Sequence, residues 1–284
     1  MLRIALPNKG SLSEKAIKLV KEAGYKCRRW GKELLLVDNH HNIEFYFLRP
    51  KDIAVYVNAG FIDMGVTGRD LMVDSLVDLE ELLPLNFGGS KFRYAVPNES
   101  TANGVKDFAG KTIACSYPNI VKKNLTENGI DAKVVKLDGA VEISIKLGVA
   151  DVIADVVESG RTLKEAGLKV VGDTIMESEA ILVSKHASLI EENKEAARFV
   201  QRLQGILVAR EYVMIEYDVP KASIDQACEL TAGIESPTVA DLRDPEWCSV
   251  KAMIKNKSVN AKMDELSAIG AKGIIITEIK TCRL

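Results

Sequence analysis

The stretch Asp151-Val152-Ile153-Ala154-Asp155-Val156-Val157-Glu158-Ser159-Gly160-Arg161-Thr162-Leu163 runs a hydrophobic strand into a carboxylate, then through a hydroxyl-and-glycine loop into a helix. Units of this kind build sheets with helices on their faces, and ligands bind where strand C-termini meet helix N-termini. The first N–H groups of a helix have no intrahelical partner, so an anion fits there. Gly160 lets the backbone approach closely, while Ser159, Arg161 and Thr162 add donors. The helix dipole contributes only ~0.3–1 kcal/mol, so charge-assisted hydrogen bonds must supply most of the grip. Asp155, at the strand end, is placed to accept from sugar hydroxyls or to hold a magnesium ion. A phosphate beside a diol describes a ribose 5-phosphate. The competing reading is an ordinary capped turn with Ser159 as N-cap.

Working outward, the phrase has an earlier echo. Gly60-Phe61-Ile62-Asp63-Met64-Gly65-Val66-Thr67-Gly68 matches Gly148-Val149-Ala150-Asp151-Val152-Ile153-Ala154-Asp155-Val156 in its glycine, apolar pair, aspartate and strand. Two similar α/β lobes facing across a cleft are expected. Apolar periodicity predicts strands at 2–6, 34–37, 43–48 and 64–67, with 34–37 and 43–48 forming a hairpin. Helices are expected at 12–23, from Pro50 to about residue 58, and near 71–76. The second lobe should hold strands at 94–96, 112–115, 133–136, 152–157 and 168–172, with helices near 118–128, 141–147 and 161–166. The alternation implies mainly parallel sheets. A long helix at 191–212 then gives way to the order βαββαβ, which is the ferredoxin-like split motif. Such a ~70-residue unit often needs a neighbour to cover its sheet, so pairing with another subunit is expected.

The 284 residues carry 38 basic and 40 acidic side chains, a formal net charge of −2. A chain built to coat nucleic acid or an anionic membrane needs a surplus of Lys and Arg, so neither partner is expected. With 47% hydrophobic residues the chain can bury several cores, yet no run approaches a membrane span. The apolar start at residues 2–6 is too short for a signal peptide. Five scattered cysteines suit neither a disulfide framework nor a zinc site. A soluble cytoplasmic protein is the expectation.

Other strand-to-helix turns carry candidates. In Pro7-Asn8-Lys9-Gly10-Ser11, Ser11 and Glu14 have capping-box spacing. Lys9 is left over, to meet a second phosphate or simply be solvated. Arg49 leaves an apolar strand in Leu48-Arg49-Pro50-Lys51-Asp52 and must reach water or pair in the cleft. Asp70, in Thr67-Gly68-Arg69-Asp70-Leu71, is either a first-turn acid or an acceptor for a purine amine. His40 and His41 sit in the hairpin turn and His186 lies beyond the second lobe, so none suits catalysis. No serine elbow is present, which argues against a hydrolase triad.

Glu142, followed by Gly148, Ala150, Ile153, Asp155, Val156, Val157, Ser159, Gly160, Thr162 and Leu163, resembles the signature of the ATP phosphoribosyltransferase family. Ala5-Leu6-Pro7-Asn8-Lys9-Gly10, Phe47-Leu48-Arg49-Pro50-Lys51-Asp52, Thr67-Gly68-Arg69-Asp70 and Gly270-Ala271-Lys272 resemble the same family in the same order. The C-terminal βαββαβ unit is similar to that of its long form. This resemblance implies two periplasmic-binding-protein-like lobes, with residues 1–91 and 184–210 in the first and 92–183 in the second. It implies a regulatory ferredoxin-like domain at 211–284, dimers and hexamers, and Mg2+. The implied reaction joins ATP to phosphoribosyl pyrophosphate in the first step of histidine biosynthesis, with histidine as feedback inhibitor. On this basis Glu158, Ser159, Gly160, Arg161 and Thr162 would hold the 5-phosphate, supported by Glu142, and Asp155 the ribose hydroxyls. Lys9 and Arg49 would neutralise phosphates, and Leu12, Asp70 and Leu71 would contact the adenine side. Histidine would meet Asp218, Ile234, Ser236, Thr238, Ala271 and Gly273. Magnesium would be held mainly by substrate phosphates and water.

Two rival functions share these features. A non-catalytic binder of periplasmic type would use the same two lobes. A purine-salvage phosphoribosyltransferase would also grip a sugar phosphate, but it usually carries adjacent acids before its loop, whereas Val156-Val157 separate Asp155 from Glu158.

Overall fold

A computed structural model describes residues 1–27, 33–157 and 160–284. The first lobe opens with β1 (Leu2–Pro7), α1 (Ser11–Glu22), β2 (Leu35–Asp38), β3 (Ile43–Leu48), α2 (Pro50–Asn58), β4 (Met64–Gly68), α3 (Arg69–Asp74) and β5 (Glu80–Pro84). The second lobe follows with β6 (Ser90–Pro97), β7 (Thr112–Cys115), α4 (Pro118–Glu127), β8 (Lys133–Lys136), α5 (Ile143–Lys146), β9 (Val152–Val157), α6 (Arg161–Glu165) and β10 (Leu168–Ser178). Then come β11 (Ala180–Ser184), α7 (Leu189–Glu192) and α8 (Lys194–Glu211).

Among the described residues these strands form two sheets, ordered β2-β3-β1-β4-β11-β5 and β10-β6-β9-β7-β8. The sheets are mixed, which corrects the mainly parallel expectation. β1 runs parallel to β3 and β4, and β7 runs parallel to β8 and β9. β11 is antiparallel to β4, and β6 is antiparallel to β9. The cause is the pair of connections between lobes. The chain passes from β5 into β6 of the other sheet, and returns from β10 into β11, so each sheet gains a strand entering from its neighbour. The second sheet therefore begins at Ser90, and the return to the first comes at Ala180 rather than residue 184. This is the two-lobed architecture of periplasmic binding proteins.

The echo holds at atomic detail. Asp63 Oδ2 accepts the Arg3 N–H at 2.7 Å, and Asp151 Oδ2 accepts the Thr112 N–H at 2.9 Å. In return the Asp63 and Asp151 N–H groups donate to the Arg3 and Thr112 carbonyls. Each aspartate therefore sets the register of its lobe's central parallel pair, β1 with β4 and β7 with β9.

Alternation buries Ile4, Leu6, Phe45, Phe47 and Met64 in the first lobe, each worth about 1.5–3 kcal/mol when removed from water. Phe92, Tyr94, Phe108 and Ile113 fill the α4 side of the second sheet. Ala95, Ala114, Ile153 and Leu163 fill the other side. The capping box expected of Ser11 and Glu14 does not form. Gly10, at φ +78°, is the N-cap of α1, and the Ser13 hydroxyl closes the turn on the Pro7 carbonyl at 2.7 Å. The helix expected at 191–212 is interrupted at Asn193, whose Oδ1 accepts the N–H groups of Glu195 and Ala196.

By compactness, residues Met1–Ala197 form one unit and Arg198–Leu284 another, which places the C-terminal half of α8 with the second. The second unit carries β12 (Tyr212–Pro220), α9 (Ile224–Leu230), β13 (Thr238–Asp241), β14 (Trp247–Lys255), α10 (Val259–Ala268) and β15 (Lys272–Glu278). Its antiparallel sheet has the order β13-β14-β12-β15, the ferredoxin-like arrangement. Val213, Ile215, Tyr217 and Val219 alternate inward from β12, and the Tyr217 hydroxyl donates to the Ala227 carbonyl at 3.0 Å. Among the described residues no helix is long and apolar enough to cross a membrane.

Candidate active site

Lys9 and Arg49 leave the C-terminal ends of adjacent parallel strands, β1 and β3, and both are exposed. Asn8 N–H donates to the Leu48 carbonyl at 2.8 Å and ties the two turns together. Lys51, on α2, reaches Asp138 beyond β8 at 3.7 Å, so the strand ends of the two sheets lie opposite one another.

In the second lobe, Glu142, Asp155, Gly160 and Thr162 line one cavity of about 270 Å³. Glu142 is the N-cap of α5, and Gly160 is the N-cap of α6 at φ +71°, a conformation glycine takes without strain. Ser159, weighed as that cap, lies with Glu158 outside the described residues. Arg161 is exposed and its Nε donates along α6 to Glu165 at 2.8 Å, so its side chain is not aimed into the cavity. Asp155 Oδ1 accepts only the adjacent Val156 N–H, at 2.8 Å, among the hydrogen bonds of the described residues. Burial raises its pKa above the ordinary carboxylate value, the Val156 N–H opposes this, and the nearby Glu142 charge adds to the rise. Asp155 is thus a half-buried carboxylate at a cavity, beside another acid and with no ion pair among the described residues.

The adenine-side candidates sit at the hinge. Asp70 is buried and its Oδ1 accepts the Leu71 N–H at 2.8 Å. Its own N–H donates to Ser178 Oγ at 3.0 Å, and the Tyr117 hydroxyl donates to its carboxylate. Burial pushes the Asp70 pKa up against these donors. Leu71 is half-buried beside it, and the Leu12 side chain lies against Gly88. A cavity of about 550 Å³ opens next to them, lined by Ser11, Lys15, Arg69, Lys91 and Ser178, and it shares Val157 with the Asp155 cavity.

Several hinge residues escaped sequence reasoning. Arg69 donates to Glu81 at 2.9 and 2.7 Å and to Glu179 at 3.2 Å, joining both interlobe connections. Asp74 Oδ1 accepts the Asn119 N–H at 2.8 Å and so caps α4 of the opposite lobe. Pro118 at the first turn of α4 was the available signal, since it marks a helix start whose N–H groups need a partner.

Among the described residues no three His, Cys, Asp or Glu side chains group to hold a metal. Glu142 and Asp155 are two carboxylates lining one cavity, a donor set that would suit a phosphate-borne, hydrated Mg2+. The five cysteines are free thiols; burial pushes Cys115 up to about 12, which makes it a poor nucleophile.

In the C-terminal unit, Asp218 lies within β12 rather than at a helix cap, opposite Lys272. Gly273, at φ +60°, sits in a bulge of β15, and a Cβ there would lie 4.0 Å from Asp218 Oδ2. Ala271 is buried just before it. Ile234, Ser236 and Thr238 are exposed and lead into β13, two strands from β12, or roughly 10 Å. The six histidine candidates therefore divide between the β12–β15 side of the sheet and the approach to its β13 edge.

Comparison with known proteins agrees in every part of the chain. Residues 49–205 match the family model described as HisG, ATP phosphoribosyltransferase, and residues 209–281 match the HisG C-terminal domain. The ATP phosphoribosyltransferases of Salinibacter ruber and Mycobacterium tuberculosis are 52% and 49% identical, each alignment covering 100% of both chains. Among solved structures, the ATP phosphoribosyl transferase (HisG:HisZ) complex from Thermotoga maritima aligns with TM-score 0.65 and 27% identity, over 73% of this chain and 99% of that one. On these matches, and with its C-terminal ferredoxin-like unit in place, the chain belongs to the long form of the ATP phosphoribosyltransferase family.

Proposed function

We propose that this transferase of histidine biosynthesis joins N1 of the adenine of ATP to C1 of phosphoribosyl pyrophosphate, with inversion and release of pyrophosphate. The observation that carries this reading is the convergence of Glu142, Asp155, Gly160 and Thr162 on one cavity of about 270 Å³, opposite the strand ends that bear Lys9 and Arg49. The N1–C1 bond forms as the C1–oxygen bond to pyrophosphate breaks, through an oxocarbenium-like transition state. No covalent nucleophile is required, so positioning and electrostatics carry the catalysis.

Each group then has one task. Gly160 and Thr162, at the start of α6, hold the 5-phosphate together with Glu158 and Ser159, with Glu142 bracing it. Asp155 accepts from the ribose hydroxyls, which supplies the donors its carboxylate lacks, and its charge favours the cationic sugar. Lys9 and Arg49 neutralise the departing diphosphate. The larger cavity beside Leu12 and Leu71 receives ATP, with Asp70 positioning Tyr117 there. Bound Mg2+ supplies further charge neutralisation on the phosphates.

Histidine acts as feedback inhibitor at the C-terminal unit. Because Asp218, Ala271 and Gly273 lie on one side and Ile234, Ser236 and Thr238 on the other, the pocket is completed between copies of the chain, consistent with a homo-oligomer. The reaction is tested by incubating the protein with ATP and phosphoribosyl pyrophosphate and measuring pyrophosphate, with free nucleobases as the alternative acceptor. Pyrophosphate released with a nucleobase but not with ATP would refute the assignment. Asp218→Ala should abolish histidine inhibition and leave both substrate KM values unchanged.

A further inference from the structure

A second cavity in the phosphoribosyl lobe, about 450 Å³, lies among β6, α6 and β10. Four cations line it: Lys91, Arg93, Lys164 and Lys169, and no carboxylate appears among its described lining residues. Among the described residues only Lys91 of the four pairs with an acid, Glu177, at 2.9 Å. Two of the others, Arg93 and Lys169, are held by carbonyls, which orient a cation without cancelling its charge. An Arg93 Nη donates to the Gly172 carbonyl at 2.6 Å, and Lys169 Nζ donates to the Ser100 carbonyl at 2.7 Å. Arg93 Nε is buried and has no hydrogen-bond partner among the described residues. An unpaired buried donor on a charged group is costly and rare, and a missing acceptor is the simplest explanation.

We infer that this cavity is an anion site for an oligophosphate chain, distinct from the cavity that Asp155 faces. Cations gathered in a concave wall concentrate anions, and a guanidinium with a free N–H matches phosphate oxygens. The volume exceeds what a single phosphate fills, and the apolar Leu163 and Val170 leave the cationic rim as the polar contact surface. Val157, Gly160 and Leu163 line both cavities, so they share a wall. An anion bound here presses on the turn that the proposed sugar phosphate uses, and the two ligands should influence each other. The site itself stands on its own residues and does not depend on the neighbouring assignment.

Calorimetric titration of the full-length protein with inorganic pyrophosphate, with and without saturating phosphoribosyl pyrophosphate, tests the inference. The expected result is a binding event that phosphoribosyl pyrophosphate does not displace. Lys164→Gln, at an exposed position that tolerates change, should weaken it by about tenfold, and Arg93→Gln by at least as much. The KM for phosphoribosyl pyrophosphate should stay within about twofold in Lys164→Gln. Titration with ADP separates the sources: an event seen with ADP alone, and lost in the same variants, assigns the phosphate chain to a nucleotide and supports the site. Absence of any undisplaced event with either probe, or an event of unchanged affinity in both variants, overturns it.

Discussion

At the end of β4 the Thr67 hydroxyl donates to the Pro50 carbonyl at 2.8 Å and shuts the strand against the start of α2. At the corresponding place in the other lobe, four residues beyond the equivalent aspartate, Asp155 meets Glu142 at the start of α5 across an open cavity. The two strands share their register, their preceding glycine and their aspartate clamp. One side chain makes the difference. A donor facing a carbonyl closes the turn, whereas a carboxylate facing a carboxylate holds it open. The same backbone phrase thus yields a packed hinge in the first lobe and a binding cavity in the second.

The largest expected effect separates the two strand ends by function. Asp155→Asn should lower kcat/KM for phosphoribosyl pyrophosphate by roughly 100-fold or more, since it weakens charge-assisted hydrogen bonds of about 1.5–3 kcal/mol each. Thr67→Val should leave that parameter within about threefold. Steady-state kinetics on the two variants decides the point, and equal losses would break the comparison.

The next effect contrasts buried carboxylates by pH. Burial works to raise Asp38, but the Lys26 N–H and the His41 ring, at 2.7 Å, outweigh it and hold its pKa below the ordinary value. Its contribution is present above the unfolded-state pKa, about 3.9, and is lost as pH falls through the lower folded value. Asp38→Asn should therefore destabilise the protein by about 2–3 kcal/mol at pH 7. Asp155 has the opposite sign. Its raised pKa favours the fold below about pH 3.9, and that advantage is lost as pH rises through the folded value. Asp155→Asn should accordingly raise Tm at pH 7 and change it little at pH 3.5. Thermal melts across pH check both directions.

Smaller effects probe the hinge. Asp74→Ala removes the cap on α4 and should cost about 1–2 kcal/mol, read as faster amide exchange at Asn119 and Ile120. Thr67→Val should cost about 1 kcal/mol in stability by denaturant unfolding.

Much of this architecture was legible because it rests on local pattern. The Asp63 and Asp151 phrases named the central strands, and the βαββαβ order named the C-terminal unit. The hinge was not legible, because its strands read poorly in isolation. Glu80 and Glu81 open β5, and Glu177, Ser178 and Glu179 interrupt the run from β10 to β11. Ser178 and Glu179 meet Asp70 and Arg69 more than 100 positions away, a pairing no window of sequence displays, while Glu81 meets Arg69 from twelve positions away. Asp155, Gly160 and Thr162 were legible because a strand end, a glycine cap and a hydroxyl fall within eight positions, whereas Glu142 came only with the family resemblance. Arg93 was missed because its significance lies in an unmet hydrogen bond, visible only after folding.

The most direct measurement is a crystal structure of the full-length protein with phosphoribosyl pyrophosphate bound. Ribose hydroxyls within hydrogen-bond distance of Asp155, with the 5-phosphate on the turn leading into α6, is the result this account predicts. A sugar lodged elsewhere, with the Asp155 cavity empty and the α6 turn untouched, would contradict it.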